Sequence, residues 1–233
     1  MTNALDLYSK VEDLLGVKEA SPKLYAHYFL ALNSIDFNSI LDVGCGSGDF
    51  LYQIEKAFSP KEILGIDLSP QMVAKTKELG LNAKAIDISK LDNSFDVITA
   101  VFDMINYLDK NSLQSFCKSI SQRLNSGGYF LCDINTLYGF EEVAVGSFSI
   151  DEDDMFLAIE SDFEDNIYSS DFTLFEKQNE CYIKSKERIK QYYHSKEEIV
   201  DIFKEYGMEL VDESGVTLYL DEEDKRFLVF NKV

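Results

Sequence analysis

The sequence predicts an α/β fold built on a mostly parallel sheet with helices on both faces. Three observations carry that expectation. Between residues 39 and 134, short apolar runs alternate five times with helix-like patterns. The first run, Ile40-Leu-Asp-Val43, passes straight into glycines on alternate positions, Gly44, Gly46 and Gly48. The next two runs each finish on an aspartate, Asp67 and Asp87, as strands that feed a ligand crevice do.

The elements follow in order. Residues 3–15 set Tyr8, Val11, Leu14 and Leu15 near helical spacing, with Gly16 as the stop. Ser21-Pro22 reads as the cap and first position of a second helix that carries Tyr25, Tyr28, Phe29 and Leu32. Residues 39–43 form the first strand; after the glycines, a helix holds Phe50, Leu51, Ile54 and Phe58 until Pro60 ends it. Residues 62–67 are the second strand, Ser69-Pro70 caps a helix to Leu79, and residues 83–86 are the third strand. The fourth strand starts at Phe95 and leads into Phe102-Asp-Met-Ile-Asn-Tyr-Leu108. A helix over 111–124, closed by Gly127-Gly128, precedes a fifth strand over 129–134.

The rhythm then breaks. From Leu124 through Glu176 there is no Lys or Arg, while residues 155–163 and 168–176 alternate in the manner of antiparallel strands. Lys184, Lys186, Arg188 and Lys190 follow, two apart and so on one face of a further strand. Acidic strands beside a basic one describe an inserted antiparallel sheet over residues 136–192; a basic stripe for a phosphorylated ligand is the sharper alternative. A capped helix over 195–206 and strands over 208–212 and 227–230 complete the chain.

Composition narrows the function. A formal charge of −20 over 233 residues opposes the phosphate contacts on which nucleic-acid binding depends. No apolar run approaches the roughly 20 residues that span a bilayer, and no basic-then-apolar leader opens the chain, so a cytoplasmic protein without a membrane is expected. Cys45, Cys117, Cys132 and Cys181 stand singly beside only His27 and His194, which predicts reduced thiols and no metal. The length suits one domain. The glycine spacing is not the G-x-G-x-x-G of a dinucleotide fold, which disfavours a nicotinamide oxidoreductase.

The stretch Asp42-x-Gly44-x-Gly46-x-Gly48 instead resembles motif I of the class I S-adenosylmethionine (SAM) dependent methyltransferases, and Ile66-Asp-Leu-Ser-Pro-Gln-Met72 resembles their motif II. The likeness spans nearly the whole chain except the inserted sheet. It implies a seven-stranded Rossmann-like sheet with the last strand antiparallel, residues 1–33 as a helical lid, and the insertion as a cap that sets the methyl acceptor. It also implies that Asp42, Gly44, Cys45, Gly46 and Gly48 receive the methionine end of SAM. Asp67 would take the ribose hydroxyls, Leu68 and Met72 pack on adenine, Asp87 accept from its amine, and Ile88 cover the ring. Phe102 and Tyr25 join the cofactor set, although Tyr25 and Tyr28 equally suit a core.

The Asp103-x-x-Asn106-Tyr107-Leu108 loop resembles that of small bacterial methyltransferases. Asp103, Asn106 and Tyr28 are therefore the acceptor-binding candidates, and Asp103, Tyr107 and His194 the candidates for a proton-accepting role, with Tyr107 either pocket wall or core. The expected activity is N- or O-methylation of a small molecule by a monomer or homodimer, the acceptor neutral or cationic because the acids repel polyanions. A SAM-binding sensor or activating partner without transfer is the competing class.

Overall fold

The computed structural model describes residues 2–233 and, of the side chains, those from Leu7 onward apart from residue 13. Helix α1 (Thr2–Val11) runs through a 3-10 turn (Glu12–Leu14) into α2 (Val17–Leu32). Five strands then alternate with helices: β1 (Ser39–Val43), α3 (Asp49–Phe58), β2 (Glu62–Asp67), α4 (Pro70–Glu78), β3 (Ala83–Ala85), β4 (Phe95–Ala100), α5 (Lys110–Arg123) and β5 (Leu124–Asn135). Four strands intervene, β6 (Gly146–Glu152), β7 (Met155–Glu164), β8 (Ile167–Gln178) and β9 (Cys181–Tyr192), before α6 (Lys196–Glu205), β10 (Met208–Val216) and β11 (Lys225–Lys232) close the chain.

The main sheet has seven strands in the order β10-β11-β5-β4-β1-β2-β3, and β11 runs antiparallel to both its neighbours. The order reverses between β1 and β4, so the carboxyl ends of β1, β2, β3 and β4 open on one crevice, where a doubly wound sheet places its ligand. Its strands are buried on both faces, with Ile40, Leu41, Val97, Ile98, Phe130 and Leu131 fully enclosed. Among the described residues, no helix is long and apolar enough to cross a membrane.

The second sheet, β6-β7-β8-β9, is wholly antiparallel. Its inner face packs Leu157, Ile159, Phe172, Leu174 and Ile189 against Leu7 and Val11 of α1, and its outer face carries the charge. Arg188 lies opposite Asp171 in register and grips it with two bonds of 2.6 and 2.7 Å, with Lys186 3.5 Å away. These cations hold the Asp171 carboxyl down at about 2. Acid beside base across strands is therefore realised, and the basic stripe is turned outward.

Two boundaries differ from the expectation. Helix α2 starts at Val17, so Pro22 lies inside it, where Ser21 donates to the Val17 carbonyl at 2.6 Å. Gly16, at φ 69°, begins this helix as much as it stops the first, and burial of Ala20, Leu24 and Tyr25 outweighs the single backbone bond that Pro22 forfeits. Gly127-Gly128 do not cap α5. They lie within β5, at the shift in its register with β4, and Gly128 has no room for a Cβ beside the Asp96 carbonyl.

Candidate functional site

The turn after β1 is held open by its own backbone. Gly44 and Cys45 donate their N–H groups to the Ile66 carbonyl at 2.8 and 3.0 Å, tying the turn to β2. Gly44 sits at φ 74°, and a Cβ there would fall 2.7 Å from the Met104 side chain. The Gly46 N–H donates to Asp67 Oδ2 at 3.0 Å, and the Ser69 N–H to Asp67 Oδ1 at 2.7 Å. Each Asp67 oxygen accepts one of these bonds and keeps a lone pair for a ligand hydroxyl. Burial pushes the Asp67 carboxyl up, opposed by those N–H groups.

These groups line a cavity of ≈ 260 Å³ with Asp42, Cys45, Leu68, Met72, Asp87, Ile88 and Phe102. Asp67 and Asp87, from the ends of two successive strands, thus face one space. The amino-terminal segment covers it: Tyr8, Glu12, Val17, Lys18, Ser21 and Tyr25 supply the opposite wall. Tyr25 packs on Phe50 at 4.9 Å and on Phe102 at 5.9 Å between centroids, so it belongs to core and wall together.

Asp42 is buried, accepts the Thr99 hydroxyl at 2.7 Å, and is pushed up to about 7 by burial, with the Asp67 charge adding. A carboxyl with a raised value is protonated below it, so a cationic ligand paired with Asp42 binds more tightly as pH rises through about 7. Titration calorimetry with SAM at pH 5.5, 7 and 8.5 is expected to show roughly tenfold weaker binding per unit below that value. Asp42→Asn should flatten the profile.

A second cavity of ≈ 380 Å³ lies beneath the four-stranded sheet and shares Tyr8, Val17, Phe102 and Tyr107 with the first. It falls in the range of small-molecule pockets, roughly 300 to 1,000 Å³. Its roof is apolar, with Phe148, Ile159, Phe172 and Ile189, and its floor is polar. There Asp103 accepts from the Lys225 ammonium and from the Gln191 amide. Lys225 also donates to Asn135 Oδ1 at 2.8 Å and lies 3.5 Å from Asp133. Burial pulls the Lys225 value down, yet the Asp103 and Asp133 carboxylates outweigh it and the net shift is upward.

Asp133 organises this floor from behind. Phe102 and Asp103 occupy left-handed backbone in succession, φ 58° and 48°, which L residues adopt at a cost. Their N–H groups both donate to the fully buried Asp133 carboxylate at 2.8 Å, and the Tyr28 hydroxyl donates to it at 2.7 Å.

Several of the expected site residues take other roles. Tyr28 is fully buried, bonding the Ala100 carbonyl and Asp133, and touches neither cavity: an aromatic stripe on a helix had two readings, and the core won. Tyr28→Phe should cost about 1–3 kcal/mol in chemical denaturation, because it leaves the Asp133 carboxylate short of a donor, while SAM affinity stays within twofold. Asn106 is also fully buried; it donates to the Tyr192 carbonyl at 2.8 Å and accepts from the Asn135 N–H at 3.0 Å, fastening the loop to the second sheet. His194 is enclosed, bonded through Nε2 to the Leu108 carbonyl at 2.8 Å with Glu198 3.7 Å from Nδ1, and lines neither cavity. Gly48, at φ 90°, caps α3 and leaves space for Thr76 rather than facing the cavity. Tyr107 is half-buried and lines both cavities, and desolvation of its hydroxyl drives its value well up.

Gln191 and Lys225 were missed. Gln191 was readable, because Ile189 and Gln191 alternate with the basic stripe and so share the opposite face of the strand. Lys225 gave no local signal: it reaches Asp103 across 122 residues of sequence.

Residues 40–128, which hold the glycine turn and both strand-end acids, match the family model described as methyltransferase domain. That match, with the similar proteins that follow, supports a SAM-dependent methyltransferase. An uncharacterized methyltransferase of Schizosaccharomyces pombe is 31% identical over 138 residues, 55% of this chain and 52% of that protein. The chain therefore spans about half the length of that curated relative. A SAM-dependent methyltransferase from Clostridium acetobutylicum superposes with a TM-score of 0.79 at 24% identity, covering 97% of this chain and 98% of its own. The SAM-bound amino pentose methyltransferase CalS10 of Micromonospora echinaspora gives 0.68 at 21%, covering 93% and 91%. The likeness to both solved structures is one of fold, and it extends through the four-stranded sheet that lies outside the matched methyltransferase domain.

Proposed function

We propose that the chain methylates a small molecule with SAM held in the first cavity and the acceptor in the second. The observation that carries this reading is the shared wall: Tyr8, Val17, Phe102 and Tyr107 line both spaces, so ligands in the two meet at the carboxyl end of β4. Residues 1–33 act as the lid and 136–192 as the cap of one functional unit.

Bound SAM supplies a methyl already activated on a sulfonium, so alignment is the main demand. Asp67 takes the ribose hydroxyls, Asp87 and Ile88 the adenine, Leu68 and Met72 its faces, and Asp42 with the bare Gly44–Gly46 backbone the charged methionine end. Bulk at these glycines would close that approach. Phe102 and Tyr107 exclude water at the junction, and Asp103, gripped by Lys225 and Gln191, orients the acceptor's nucleophile and can accept its proton.

Three carboxylates, Asp103, Asp133 and Asp224, lie in or behind the second cavity against the one ammonium of Lys225. That balance suits a neutral or cationic acceptor, such as an amine, over a polyanion or nucleic acid. Among the similar structures, CalS10 is an amino pentose methyltransferase.

The test has two parts. Calorimetry should give micromolar binding of SAM and S-adenosylhomocysteine, and a screen of amines, phenols and carboxylates should release S-adenosylhomocysteine with an amine. No binding at millimolar SAM defeats the proposal. Binding with no turnover in any pool replaces it with a SAM sensor or activating partner.

A further inference from the structure

Aromatic rings make up much of the wall of the second cavity, which is lined by Tyr8, Phe102, Tyr107, Tyr168, Phe172 and Tyr219. Tyr8 and Phe172 meet nearly at right angles, with 6.4 Å between centroids, and form one corner of it. Burial first, with the Asp103 carboxylate adding to it, pushes the hydroxyls of Tyr8, Tyr107 and Tyr219 up, so these three side chains stand within reach of that carboxylate's charge. An aromatic ring attracts a cation held over its face within about 6 Å, and does so more strongly where water is excluded.

The polar groups of the same cavity are bonded to one another. Asp103 accepts from Lys225 and Gln191, and Lys225 also donates to Asn135. Asp224 accepts from the Leu218 N–H at 3.0 and 3.1 Å and from the Tyr219 N–H at 2.8 Å. Tyr168 donates to the Ser161 hydroxyl at 2.9 Å, and Ser161 and Ser170 bond each other at 2.9 Å. A primary ammonium brings three N–H groups that each need an acceptor, and it would have to compete with these internal donors. The charge, by contrast, is not balanced. Asp103 and Asp224 line the cavity beside Lys225, and Asp133 lies 3.5 Å from that ammonium on the far side. Occupied acceptors, a negative balance and an aromatic wall fit a cation that has no N–H to satisfy.

We propose that the second cavity binds a quaternary ammonium group, and that the acceptor is a tertiary amine which the transfer converts into one. The amine lone pair forms the new N–C bond as the methyl–sulfur bond breaks, and the sulfur keeps the bonding pair and leaves as S-adenosylhomocysteine. No proton moves. Asp103 then acts as counter-ion to the charge that the nitrogen gains, and the ring faces meet that charge as it develops. The transfer rests on the reading given under the proposed function; the binding of a quaternary ammonium does not.

The test begins on the whole chain without SAM, with choline, its neutral isostere 3,3-dimethyl-1-butanol, and ethanolamine as probes. Calorimetry should show choline bound at least roughly tenfold more tightly than either of the others. Asp103→Asn removes a charge and keeps the side chain's shape, so choline affinity should fall about tenfold while that of the isostere stays within about twofold. Tyr219 is half exposed and can lose its ring without opening the core. Tyr219→Leu should weaken choline about fivefold and Tyr219→Phe by less than about twofold, which keeps the proposal testable if Asp103→Asn loses its fold. With SAM added, tertiary amines should release S-adenosylhomocysteine at least about tenfold faster than primary amines of the same skeleton. Choline bound no more tightly than its isostere, a choline affinity that neither Asp103→Asn nor Tyr219→Leu moves, or primary amines that outrun their tertiary counterparts overturns the proposal. Choline binding by a chain that fails to bind SAM would support the cavity assignment and defeat the methyl transfer alone.

Discussion

Asp67→Ala is expected to abolish measurable SAM binding. The carboxylate accepts from the Gly46 and Ser69 N–H groups, and on the proposed reading from both ribose hydroxyls. Hydrogen bonds to a charged group contribute roughly 1.5–3 kcal/mol each, so losing two costs about 3–6 kcal/mol, or roughly a hundredfold to ten-thousandfold in affinity. The substitution also releases the glycine turn, adding to the loss. Asp67→Asn keeps an acceptor oxygen but can satisfy only part of this pattern, and an intermediate effect of about tenfold is expected. Calorimetry reads both. Wild-type affinity in Asp67→Ala, with the fold intact, would remove the acid from the cofactor site and with it the assignment of the first cavity.

The second large effect is on stability. Asp133 receives two backbone N–H groups, the Tyr28 hydroxyl and the field of the Lys225 ammonium, all in a buried setting. Asp133→Ala leaves those three donors without their acceptor and takes from the buried Lys225 one of its two neighbouring carboxylates. Breaking a buried pair in this way costs about 3–5 kcal/mol, which for a chain of this size is on the order of 10 °C in melting temperature. Thermal denaturation followed by circular dichroism measures it. The same change frees Phe102 and Asp103 from their left-handed backbone, so turnover should fall further than the loss of folded protein explains. A melting temperature within 2 °C of the wild type would show that the loop is held by something else.

The two predictions rest on different loops, the glycine turn after β1 and the loop after β4, and the anchoring of the two differs in how far it could be foreseen. Asp67 closes an apolar run and precedes a Ser-Pro cap, a pattern contained in eight residues. The Asp103 pair with Lys225 joins the fourth strand's end to the start of β11, and no spacing rule connects such positions. Tyr28, Asn106 and His194 show the converse. Each is a residue type that often works in active sites, and each was a reasonable candidate from its neighbours in sequence. The fold encloses all three, and each then meets its hydrogen-bonding needs with a backbone partner, so that they fix the structure around the cavities instead of lining them. The charged strand teaches the same point. Period two said that Lys184 to Lys190 share a face; only strand pairing decided that this face turns away from the cavity.

By itself, the sequence determined the alternation of strands and helices, the bare turn after Val43, and the acids at the ends of the next two strands. These are local properties, written in hydrophobic period, glycine spacing and capping chemistry within short windows. The tertiary structure alone decided that Asp67 and Asp87 share one space, that a second cavity adjoins it, and that Lys225 and Gln191 hold Asp103 there. Those facts depend on which distant strands become neighbours, and the burial of the whole core sets that, since no single segment carries the energy that brings them together.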